Sequence, residues 1–182
     1  MLHSPIPPHG PETPAHPGRF LVVSFHDLAP HTERPCREFL LLMEKLGILR
    51  VTVGVVSPWN REETLEGRPF FLRFLRSLSE AGHDVRLEEE AGLPAPTVAF
   101  NDCSLFRRAA SRVGARLRFA RSRQAPVLCI SVHPGDVYNP SIRRTLLDLV
   151  GRALADRTPV TRGELSELLS KRHGSDGGLS HS

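Results

Sequence analysis

The amino-acid sequence predicts an α/β domain built on a mainly parallel sheet. Short apolar, β-rich runs recur along the chain, with FLVVSF at 20–25, RVTVGVV at 50–56 and VLCISV at 127–132. Between them stand segments with apolar residues every three or four positions, and Gly47 and Gly82 fall where those helical segments stop. Strand and helix in alternation imply right-handed βαβ crossovers, and so parallel pairing.

The elements follow in order. Residues 20–25 read as a strand buried on both faces, because no polar residue breaks the run before Ser24. Cys36, Phe39, Leu40, Met43 and Leu46 then recur at helical spacing, with Thr32 in the N-cap position and Gly47 at the stop. The run at 50–56 is the second strand, 69–81 the second helix and 83–87 (HDVRL) a third, shorter strand. Residues 88–96 carry three acids, a glycine and two prolines without helical period, so no crossover helix is expected there. Residues 97–100 read as extended. A long helix over 105–120 places Phe106, Ala109, Ala110, Val113 and Leu117 on one apolar face. The strand at 127–132 follows, then a helix opened by Asn139 and Pro140. A last helix begins at Thr161, where Glu164 three residues on completes a capping box.

A chain of 182 residues suits one such domain. Six prolines within residues 1–18, and the polar, glycine-rich stretch 173–182, mark two disordered tails around a single domain at 19–172. The N-terminus lacks a basic start followed by an apolar stretch, so no secretory signal is read and a cytoplasmic location is expected. No apolar run reaches the roughly 20 residues a membrane span needs. Cys36, Cys103 and Cys129 are odd in number and set in apolar patterns, which points to reduced core residues and away from disulfides or a cysteine-rich zinc site. A net charge of +4 is too mild to indicate nucleic acid. The arginines at 107, 108, 112, 116, 118, 121 and 123 are read as a solvated helix face, since aromatic residues for base stacking are sparse beside them.

In parallel α/β sheets, reactive groups collect where strands end. Polar residues of the catalytic type follow three strands: His26 and Asp27, the stretch from His83 to Glu90, and His133 with Asp136. Imidazoles and carboxylates converging from separate strands can serve as base and acid, or hold a metal. The alternative is that each caps the turn beside it.

The segments LVVSFHDLAP, VTVGVVSPWN, FFLRFLRSLSEAGHDVRL and ISVHPGDVYNP, in that order, resemble a bacterial branch of the polysaccharide deacetylase superfamily. The match rests on His-Asp-x-x-Pro, Gly-His-Asp and Val-His-Pro-x-Asp taken together. The resemblance implies a deacetylase-like (β/α) barrel, here partial, that hydrolyses N-acetyl groups on carbohydrate with a divalent metal such as zinc. It implies Asp27 as the first-motif carboxylate and a metal ligand, His26 beside it as the base, and His133 as the acid that protonates the departing amine. In the family a His-x-x-x-His pair follows Gly-His-Asp; here Glu88 and Gly92 stand at those positions, so Glu88 alone is left as a second metal ligand. Several βα units of the family have no counterpart, as after an internal deletion in the gene or in its reading. The expectation is a carbohydrate deacetylase with lost or much reduced activity. The alternative is a catalytically silent binding or interaction domain, whose exposed sheet edges invite self-association.

Overall fold

The computed structural model describes residues 18–56, 68–88, 95–100 and 105–176, and of 105–111 and 172–176 the backbone alone. Most of both expected tails, together with Gly92 and Cys103, lie outside these residues. The strands are β1 (Phe20–Leu28), β2 (Thr52–Val55), β3 (Asp84–Leu87), β4 (Thr97–Ala99), β5 (Val127–Val132) and β6 (Thr158–Pro159). The helices are α1 (Glu33–Lys45), α2 (Pro69–Glu80), α3 (Leu105–Arg121), α4 (Pro134–Tyr138), α5 (Pro140–Leu154) and α6 (Arg162–Asp176).

The α/β expectation holds. The sheet runs β3-β2-β1-β5-β4, with β6 also on β1, and every described pairing is parallel. Among the described residues the sheet does not close into a barrel, and β3 and β4 are its edges. β1 is central because its apolar run is the longest. Leu21, Val23 and Phe25 point into the main core with Phe39 and Met43 of α1, Phe74 of α2, Leu146 and Leu149 of α5 and Ile130 of β5. On the other face Phe20, Val22, Val127 and Cys129 meet Leu165 of α6. This second cluster covers only the N-terminal half of the strands, and further along the same face the residues turn polar: Ser24, His26 and Ser131.

The N-terminus of α6 is fixed on this polar face. Its capping box forms as expected, with Thr161 N–H donating to Glu164 Oε2 at 2.8 Å and Glu164 N–H to Thr161 Oγ1 at 3.2 Å. Asp84 Oδ2 also accepts from Gly163 N–H at 2.8 Å, and Thr52 Oγ1 from Arg162 N–H at 2.9 Å. The aspartate of Gly-His-Asp therefore serves a helix terminus. No described helix is long and apolar enough to cross a membrane.

Four local expectations need correction. α3 presents Ala115 and Phe119 to the core, while Val113 and Leu117 are more than half exposed. A small side chain at 115 lets the helix lie close to the sheet, and Arg118 holds that rotation by donating to Ala99 O at 3.1 Å. Thr32 stands at the α1 N-cap without capping it; its hydroxyl instead accepts from Ala29 N–H at 2.7 Å and donates to Asp27 O at 2.8 Å, closing the turn out of β1. His83 precedes β3 and so lies at the opposite end from Glu88, its Nδ1 accepting from Val51 N–H at 3.3 Å. His26 and Asp27, expected after the first strand, are the two residues before its last, Leu28, and this places them directly on the sheet end.

Candidate functional site

The chemistry-bearing residues gather at the C-terminal end of β1, β3 and β5. β1 pairs with β2 through Phe25 and Val53, then through Leu28 and Val55, so β1 fits one extra residue into that interval. The extra residue is a bulge at Asp27, whose φ of 55° is left-handed; aspartate tolerates this region better than most side chains. The bulge exposes Asp27 while His26 stays half-buried over the polar face.

Glu88, one residue beyond β3, reaches back across β2 to this bulge. Its Oε1 accepts from Asp27 N–H at 2.8 Å and lies 3.1 Å from His26 Nδ1. The path crosses Gly54, where a Cβ would come within 2.9 Å of both Glu88 Cγ and Oε1. Glycine in the middle of β2 thus gives the carboxylate its passage. The other nitrogen of His26, Nε2, lies 2.9 Å from Ser24 Oγ. An ionised carboxylate can only accept, so Nδ1 carries the proton, Nε2 is the acceptor, and Ser24 donates to it.

His133 leaves β5 beside this group, its ring stacked on that of His26 with centroids 5.5 Å apart. Its backbone N–H donates to Asp136 Oδ2 at 2.9 Å, and Asp136 is 1% exposed. The same oxygen lies 3.6 Å from His133 Nδ1, an ion-pair contact too long for a hydrogen bond, so Nδ1 is buried without a hydrogen-bond partner. The surroundings shift the two imidazoles in opposite directions. Burial lowers the His26 pKa, against the opposing pull of Glu88. The facing carboxylate of Asp136 raises that of His133, with Asp27 and Glu88 adding to the effect. Two neighbouring imidazoles shifted in opposite directions are an arrangement that separates the roles of base and acid.

His26, Asp27, Glu88 and His133 are thus brought together, while His83 and Asp84 are occupied elsewhere. Sequence reasoning missed Ser24 and Gly54. The signal for Ser24 was its i, i+2 relation to His26, which puts both on one face of a strand; for Gly54 it was an isolated glycine inside VTVGVV. Comparison with family models, curated proteins and solved structures finds no match for this chain.

Proposed function

We propose that this chain is a deacetylase-type hydrolase domain that keeps the proton-handling residues of the site and lacks a complete metal half. The observation that carries the reading is the meeting of His26 and His133, from adjacent parallel strands, with ring centroids 5.5 Å apart and carboxylates on both. These are the imidazoles of His-Asp-x-x-Pro and Val-His-Pro-x-Asp. In such a reaction on an N-acetylated sugar, His133 is the proton donor to the departing amine, and His26 is the acceptor.

A catalytic zinc ion generally requires three protein ligands and an open position. Among the described residues no group of three His, Cys, Asp or Glu side chains is arranged to hold an ion. Asp27 is exposed, and Glu88 Oε1 already serves the Asp27 N–H and His26. The described donor set does not fit the metal. The expected behaviour is weak zinc binding and no measurable acetate release from N-acetylated sugars. Calorimetric zinc titration of the chain and of Asp27→Ala, with an acetate assay alongside, tests this: tight, Asp27-dependent zinc binding with acetate release overturns it. The open edges at β3 and β4 support self-association, which sedimentation across a concentration series would register.

A further inference from the structure

We propose that Ser24, His26 and Glu88 form a metal-independent serine-hydrolase relay, with Ser24 as the nucleophile toward esters of short carboxylic acids. The three contacts are in the order such a relay needs. Glu88 Oε1 holds His26 Nδ1 at 3.1 Å, which fixes the tautomer, and His26 Nε2 receives the Ser24 hydroxyl at 2.9 Å. Gly54 exists in β2 at the one place where a side chain would push Glu88 off His26. The inference goes beyond the deacetylase reading, because it uses neither a metal nor Asp27.

A cavity adjoins the relay. It has a volume of about 220 Å³ and is lined by Val22, Ser24, His26, Cys129, Ser131 and Arg162, among others. That volume is below the ordinary range for drug-sized ligands, about 300–1,000 Å³, and suits an acyl group of a few carbons with the alcohol part outside. Val22 and Cys129 offer apolar contact to the acyl chain. Ser131, the register partner of Ser24 on β5, and Arg162 at the start of α6 bring a hydroxyl and a positive charge to the cavity in which an oxyanion would form. Cys129 is the competing nucleophile, but burial raises its thiol pKa to about 11, so it stays protonated at neutral pH.

The chemistry balances with water as the only co-reactant. Ser24 Oγ bonds to the acyl carbon while its proton passes to His26 Nε2. The bond from that carbon to the alcohol oxygen then breaks, and the alcohol leaves with the proton from Nε2. Water next attacks the acyl-Ser24 ester, gives a proton to His26, and Ser24 Oγ departs and recovers it, releasing the free acid.

The test is acylation of the full chain by p-nitrophenyl acetate with a chelator present, read as nitrophenolate release and as the acetylated residue found by peptide mass spectrometry after acid quench. The expected result is an acetyl group on Ser24, no adduct there in Ser24→Ala, and acylation slowed at least about tenfold in Glu88→Gln; losing the acid of a serine protease triad costs about 10⁴-fold. Mapping the adduct on the natural chain makes the result independent of how any variant folds. Acetylation of Cys129 or a lysine without Ser24, no adduct at all, or an unchanged rate in Glu88→Gln would each overturn the proposal. Zinc dependence of sugar deacetylation, measured separately, bears on the deacetylase reading and leaves this one standing.

Discussion

The two ends of the sheet put their buried polar groups to different uses. At the N-terminal end Arg157, only 1% exposed, donates to the carbonyls of Phe20, Ser122 and Arg123 at 3.1–3.2 Å. It joins the start of β1 to the turn before β5 through three hydrogen bonds, although Nη2 of the neighbouring Arg19 is buried without a hydrogen-bond partner. At the C-terminal end Asp27 has left-handed backbone, His133 Nδ1 is buried without a hydrogen bond, and one oxygen of Glu88 is shared by two donors. Satisfied polar groups hold a fold, whereas strain and unmet hydrogen bonds are kept where the surroundings impose them, which is the usual mark of a working site. The difference teaches that one strand, β1, is anchored at its first residue and chemically equipped near its last.

This comparison is most severely tested by removing the anchor. Arg157→Met takes one donor each from the carbonyls of Phe20, Ser122 and Arg123, of which Ser122 O keeps the Ala125 N–H, and should cost about 3 kcal/mol in urea denaturation, whereas Glu88→Gln should stay within about 1 kcal/mol. Equal losses would erase the distinction between the two ends. Next in size is Gly54→Ala. Glu88 can swing away from the new methyl, so the stability loss should be about 1 kcal/mol, while ester reactivity falls to the level of Glu88→Gln. Retained reactivity would show that the passage over Gly54 is incidental.

Asp27→Gly should stabilise the fold by up to about 1 kcal/mol, because glycine adopts a φ of 55° without the Cβ penalty. A destabilised variant would mean that the aspartate side chain contributes to stability and that the bulge is not strained. The smallest effect concerns pH and lies outside the site. Burial lowers the His83 pKa, and its Nδ1 accepts the Val51 N–H only when unprotonated. The sign follows: the folded state binds the proton more weakly, so this contribution is complete above about pH 6.5 and is lost as pH falls through the folded value. The urea midpoint should drop between neutral and mildly acid pH, and His83→Gln should flatten that part of the slope.

Much of the fold was legible in sequence because its strands are apolar on both faces and its helices carry caps and stop signals that agree with their periodicity. FLVVSF, VLCISV, Gly47, Gly82 and the Thr161–Glu164 box all act locally. What escaped depends on tertiary contact. The rotation of α3 was misread because Ala115, small and weakly hydrophobic, outweighs Val113 and Leu117 through close packing against the sheet. β6, two residues long, exists only as a partner of Phe20 and Leu21. At the site, His26, Asp27, Glu88 and His133 were visible as residue types at strand ends. The bulge that aims them was not, since the register of β1 on β2 is fixed by pairing and not by any residue of β1 alone. Ser24 was hidden by its place within an apolar run.

The central claim is that the C-terminal end of the sheet is a proton-transfer site whose two imidazoles are shifted in opposite directions, His26 down and His133 up. Long-range nitrogen–proton NMR correlations of the histidine side chains, followed from about pH 5 to about pH 8, test it most directly. The account predicts His26 as the neutral tautomer with its proton on Nδ1, titrating below the ordinary histidine range because of burial, and His133 titrating above that range because of Asp136. A proton on His26 Nε2 instead, or His26 titrating at higher pH than His133, would contradict it.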